Sequence, residues 1–138
     1  MQYQRATDHF RAFLEDAREA ADLITPNQTY TMVQGVLQVF RRRLSLKDAI
    51  RFAGVLPAVL RAIFVSDWDP DEPIRPFGDR ESMVNEVKAL RADHNFSPDF
   101  AIEAVATALW KHVDITAFED MLSKLPEGAI QFWQPRNR

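Results

Sequence analysis

Apolar residues recur at spacings of three and four along most of this chain, the period at which side chains share one face of an α-helix. Phe10, Phe13, Leu14, Ala17 and Ala21 form the first stripe behind Asp8, and they predict a helix running to about Leu23. Thr25-Pro26-Asn27-Gln28 then reads as an N-cap, a proline at the first helical position and a capping-box glutamine. The helix it opens carries Tyr30, Val33, Leu37, Phe40 and Leu44 on one face. Ser45 caps a third helix, with Asp48 in its first turn and Leu46, Ile50 and Ala53 as its stripe. Pro57 stops that helix near Leu56 and opens a fourth, which reaches Val65.

From Ser66 to Gly78 the periodicity is lost. Pro70, Pro73 and Pro76 stand among Asp67, Asp69, Asp71 and Glu72, and no helix survives that proline spacing, so an extended connector is expected. Asp79 caps the next helix (Met83, Val84, Val87, Leu90), and Ser97-Pro98 opens another (Ala101, Ala104, Val105, Ala108, Leu109). Asp114 caps a seventh (Ile115, Phe118, Met121, Leu122), and Pro126 opens the last (Ile130, Phe132, Trp133), before a polar tail.

The two stretches of helix match. At a shift of 69 positions Val36 falls on Val105, Phe40 on Leu109, Leu44 on Val113, Ser45 on Asp114, Leu56-Pro57 on Leu125-Pro126, and Ile63-Phe64 on Phe132-Trp133. Thr25-Pro26 meets Ser97-Pro98 at a shift of 72, so about three residues separate the registers. Caps and prolines mark specific backbone events, so their coincidence at one register indicates a duplication. Two copies are fewer than a solenoid needs. The expected fold is therefore all-α: about eight helices as two pseudo-symmetric four-helix units packed into one domain. The first repeat spans about 8–65, the connector 66–78 and the second repeat 79–133.

With the Thr25–Tyr30 segment, Arg41-Arg42-Arg43-Leu44, Leu56-Pro57, Asp67-Trp68 and Pro76-Phe77-Gly78 in view, the chain resembles the bacterial family called domain of unknown function 2267. The likeness runs from about Phe10 to Trp133. It implies an all-helical bacterial protein and carries over no activity, cofactor or site residue.

Composition narrows the chemistry. The chain has no cysteine, which excludes disulfides and thiolate chemistry and suits a reducing cytosol, so a cytoplasmic location is expected. Four Gly against eight Pro disfavours a turn-rich β-fold. The N-terminal residues form no apolar signal segment, and the run Ala53–Val65 is too short and broken to span a bilayer. The net charge of −3 hides an asymmetry: residues 1–66 carry nine Lys/Arg and six Asp/Glu, residues 67–138 eight and fourteen. A basic first half thus adjoins an acidic second half, which can attract within or between molecules.

Few groups invite a function. Asp67-Trp68-Asp69-Pro70-Asp71-Glu72 alternates carboxylates like a hard-cation loop. An EF-hand register from Asp67 would need Gly at Glu72 and Glu at Gly78, so a solvated acidic linker with Trp68 tucked inward is favoured. Arg41, Arg42, Arg43, Lys47, Arg51 and Arg61 make a basic stretch. Consecutive arginines step about 100° around a helix and cannot share a face, which makes nucleic-acid contact a lesser alternative to a rim salt-bridged to the acidic half. His9, His94 and His112 have no ligand spacing. His112 near Asp114 reads as a helix-end cation beside a cap rather than a catalytic pair. The run Val55–Val65 reads as the centre of the core or, failing that, as a partner interface.

The sequence assigns no catalytic, cofactor or metal residue. The leading expectation is a non-enzymatic helical interaction or regulatory module, working as a homodimer or with another protein. The alternative is a small anionic-ligand-binding protein or enzyme with an inter-lobe site. Both would draw on the same surface: Arg41, Arg42, Arg43, Arg51, Trp68, Arg75, Phe77 and Arg80.

Overall fold

A computed structural model describes residues 2–135 of the chain, with side chains from Arg5 to Pro135. Among them are eight α-helices and no strand: α1 (Gln2–Ala21), α2 (Pro26–Arg41), α3 (Leu46–Ala53), α4 (Ala58–Val65), α5 (Arg80–Ala89), α6 (Ala101–Trp110), α7 (Ile115–Ser123) and α8 (Ala129–Phe132). A 3₁₀ turn at Ala92–His94 follows α5. The last three residues of the polar tail lie outside the described residues.

Most predicted caps close helices as their chemistry demands. Thr25 completes a capping box with Gln28 at the head of α2, and Ser45, Asp79 and Asp114 accept from the N3 amides of α3, α5 and α7. Two starts differ. α1 begins at Gln2, so Asp8 is an exposed position inside the helix. A capping side chain caps only where the backbone leaves helical geometry, and Gln-Tyr-Gln-Arg-Ala gives it no reason to. Ser97-Pro98 does not open α6, which starts at Ala101 behind Phe100. Asn95 governs that link instead: its amide donates to Val87 O (2.8 Å) and Leu90 O (2.7 Å), while its oxygen accepts from Ser97 N (2.9 Å).

One continuous core holds the helices together. α1 packs against α6 and α2 against α5, so the opening helix of each half lies on the second helix of the other. Gly35 makes the α2–α5 approach possible: a Cβ there would stand 3.0 Å from Val87 Cγ1 and 3.1 Å from Val87 O. Within it, Phe40, Phe52, Phe118, Phe132 and Trp133 form a ring cluster with centroids 4.7–6.2 Å apart, at which aromatic pairs attract.

The central helix is not the one expected. The run Val55–Val65 buries only Leu56, Leu60, Ile63 and Phe64, and Val65 is exposed. α2 takes the centre, with every residue from Thr31 to Arg41 buried, although it carries Gln34, Gln38 and Arg41. Surrounding helices decide which segment is enclosed, and they enclose the longer one with flanks on both sides.

Candidate functional site

The arginines of the expected surface hold the fold, in two ways. Several close helix ends, where unpaired carbonyls and the helix dipole favour a cation. Arg41 Nη1 donates to Phe64 O and Ser66 O at the end of α4, both at 2.8 Å, and its guanidinium stacks 5.2 Å over the Trp68 ring. Burial, followed by the charge of Arg42, pulls the Arg41 pKa below its usual value, against Glu72 and Asp67. Arg61 donates to Ala53 O (3.0 Å) and Leu56 O (3.1 Å) beyond α3. Arg80 donates to Gln131 O (2.7 Å) and Phe132 O (3.3 Å) and lies over the Phe132 ring.

The rest converge on one carboxylate. Glu86, from α5 in the second half, binds Arg43 through both oxygens, and its Oε1 also takes Arg42 (3.3 Å) and Arg75 (3.1 Å). Glu72 of the connector stands 3.7 Å from Arg42 and 3.6 Å from Arg75. Burial pushes the Glu86 carboxyl up. The hydrogen bond and charge of Arg43, helped by Arg75 and Arg42, outweigh that and hold it below the usual range. The connector is further tied to the end of α2 by Arg75 N donating to Arg42 O at 2.9 Å. Its Phe77 packs onto Gly128, whose φ of +105° and lack of Cβ both suit glycine, since a Cβ would meet that ring at 2.7 Å.

An open depression of ≈ 980 Å³ lies beside Phe77, and Arg43, Arg75 and Arg80 line it, each already engaged as described. Of the six basic residues between Pro26 and Val65, Lys47, Arg51 and Arg61 are exposed without an ion pair among the described residues, and Arg61 is held by the carbonyls of Ala53 and Leu56. In the acidic connector Asp69 Oδ1 accepts from Asp71 N (3.0 Å), and among the described residues no three His, Asp or Glu side chains converge as metal ligands would.

Two features escaped the linear reading. First, His112 pairs with Asp16 of α1, Nε2 to Oδ2 at 2.6 Å, and not with Asp114, whose carboxylate caps α7. His9 lies edge-on to it at 5.9 Å, whereas His94 is exposed in the 3₁₀ turn. His112 lies 96 positions from Asp16 and farther still from His9, so spacing could not signal these contacts. Second, α3 turns the wrong stripe inward. Ala49, Phe52 and Ala53 are buried, while Leu46 and Ile50 are 52% and 61% exposed. On α7, Phe118 and Leu122 are buried and Ile115 is 56% exposed. α3 and α7 touch, and Phe52 meets Phe118 at 5.8 Å. Both inner faces therefore address one cluster. Beside the exposed aliphatics stand Lys47 and Arg51 on α3, and Glu119 and Asp120 on α7.

No helix among the described residues is long and apolar enough to cross a membrane. A family model described as "Uncharacterized conserved protein (DUF2267)" matches residues 10–132, and the chain belongs to that family. No curated protein matches it.

Proposed function

We propose that this protein is a non-enzymatic interaction module whose working unit is a symmetric dimer formed through the α3–α7 face. A cysteine-free chain suits the reducing cytosol of a bacterium, where we place it. One observation carries the reading: three large aliphatics, Leu46, Ile50 and Ile115, are uncovered on adjoining helices, one flanked by bases and the other by acids. Scattered exposed aliphatics need no explanation, but several on two touching helices with patterned charge do.

A twofold axis across such a face lays α3 of one copy on α7 of the other, and the reverse. Lys47 and Arg51 then meet Glu119 of the second copy twice over, while the aliphatics close the centre; Asp120 is already paired with Lys124 at 3.0 Å. Complementary rims give register and on-rate, and the covered apolar core gives most of the affinity. The arginines expected to hold a small anion are less suited to that task, because Arg41 and Arg43 are buried and Arg42, Arg75 and Arg80 are engaged within the chain.

Sedimentation equilibrium from about 1 to 500 µM should show a monomer–dimer equilibrium that weakens as salt is raised. Arg51→Glu alone and Glu119→Lys alone should each shift it to monomer, and an equimolar mixture of the two should restore a heterodimer. A monomer throughout that range, or single variants that dimerise like the parent, would overturn the reading.

A further inference from the structure

Helix ends of both signs meet around a cavity of ≈ 280 Å³ beside α1, where α3 and α6 close and α4 and α7 open. Closing ends favour cations and opening ends favour anions, so the backbone fields offset and side chains decide which charge is held. The body of the cavity is apolar. Phe10 and Phe13 come from α1, Leu60 from α4 and Val113 from the α6–α7 link. The rings of Phe13 and His9 stand edge-on to His112 at 5.8 Å and 5.9 Å. The volume is near the lower limit of small-molecule sites, which suits an occupant of about ten non-hydrogen atoms.

The polar side chains at the wall are mainly acceptors. An ionised carboxylate only accepts, so His112 donates from Nε2 to Asp16 Oδ2 at 2.6 Å, and Nδ1 of the neutral ring is left as an acceptor. Asp114 is the second. Its Oδ1 takes the amide of Ala117 at 2.9 Å as the cap of α7, but the carboxylate forms no ion pair among the described residues. One amide occupies one of about four lone-pair sites, so acceptor capacity remains. Against these stands Arg5, exposed at the cavity and the one guanidinium that lines it. With Asp16 held directly behind His112, two carboxylates face that single cation. Both the acceptors and the balance of charge select a donor that carries positive charge.

We infer that this cavity binds a small apolar amine, its hydrocarbon body among Phe10, Phe13, Leu60 and Val113 and its ammonium group at His112 Nδ1 and the Asp114 carboxylate. An ammonium has three donors and no acceptor, so it serves both wall acceptors and keeps one proton for water. A carboxylate on the same body would set lone pairs against lone pairs, and a hydroxyl has a single proton to give. The apolar wall supplies affinity through area removed from water, and the charge-assisted bond to Asp114 sets orientation. Arg5 opposes from the exposed edge, which keeps the preference modest. The arrangement needs no reaction, so the ligand is bound and released unchanged.

Phenethylamine, phenethyl alcohol and hydrocinnamate carry a cationic, a neutral and an anionic head on closely similar bodies. Titration calorimetry and amide chemical-shift mapping on the full chain should show saturable phenethylamine binding at the cavity. It should be about fivefold tighter than the alcohol, with hydrocinnamate weakest of the three. Asp114→Asn keeps a good capping side chain and removes the charge, so it should bring the amine down to about the affinity of the alcohol and leave the alcohol unchanged. Arg5→Ala should tighten the amine by about twofold. Should Asp114→Asn fail to fold, the order of the three probes on the parent chain decides. Phenethylamine that does not saturate by about 10 mM, or shifts that map elsewhere, would overturn the inference. So would hydrocinnamate binding as tightly as the amine, an Asp114→Asn protein with undiminished preference, or an Arg5→Ala protein that binds the amine more weakly.

Discussion

Replacing Glu86 by Gln should cost this protein a large share of its stability. The carboxylate binds Arg43 through both oxygens and also receives Arg42 at 3.3 Å and Arg75 at 3.1 Å. The Arg43 side chain is only 3% exposed and that of Glu86 18%. Removing one partner of a buried pair costs about 3–5 kcal/mol, because the other charge stays behind uncompensated. The amide retains one acceptor oxygen but presents donors where a guanidinium needs acceptors. Arg43 keeps its bond to Val39 O (2.9 Å) and Glu86 is partly wetted, which places the expected loss at the low end, about 3 kcal/mol. For a domain of this size the melting temperature should fall by roughly 10 °C.

Urea denaturation followed by circular dichroism reads the loss directly. Its pH dependence provides a second check. The folded carboxyl titrates below its usual range, while the unfolded chain titrates near the ordinary value of about 4.3. Stability from the depressed group is complete above the unfolded value and is lost as pH falls through the folded one. The gap between parent and Glu86→Gln should thus stay constant from about pH 6 to 8 and narrow below about pH 4. A gap under about 0.5 kcal/mol at neutral pH, or one that persists undiminished into acid, would refute the assignment of Glu86 as the hub. Replacing Arg43 and Glu86 together by Leu should recover part of the loss, since an apolar pair leaves no buried charge.

Gly35→Ala should destabilise by about 1–3 kcal/mol despite its gain in helix propensity, because the new methyl presses α2 away from Val87. Denaturation midpoints with an unchanged slope would measure it. Phe52, fully buried between Phe40, Phe64, Phe118 and Trp133, should cost about 3–5 kcal/mol when cut to Ala, with loss of near-ultraviolet circular dichroism. Thr25→Ala, which removes the acceptor for Gln28 N, should cost about 1 kcal/mol by urea denaturation.

What the sequence determined by itself was local. The Thr25 box, the Ser45, Asp79 and Asp114 caps and the break at Pro57 each act within about four residues, so their backbone consequences are written beside them. Together with the apolar stripes of α1, α6 and α8 they give eight helices and an irregular connector. Even positions matched at a shift of 69 share a fate: Val36 and Val105, Phe40 and Leu109, and Phe64 and Trp133 are all buried. The failures at Asp8 and Ser97-Pro98 are local too: Asp8 stands inside a helix that begins at Gln2, and the link through Ser97-Pro98 is tied by Asn95, with α6 starting at Ala101.

The tertiary structure decided everything that needs a surface from elsewhere in the chain. An apolar stripe says that a helix has a face to bury, but α3 offers two, and packing of Phe52 into the aromatic cluster left Leu46 and Ile50 outside. Likewise α2, despite its glutamines and arginine, became the centre because α1, α4, α5 and α6 all close on it. Glu86 gathers arginines from 11 to 44 positions away, and Asp16 finds His112 across 96. Charge and burial energies depend on distance in space, and chain spacing fixes that distance only within a helix turn or two.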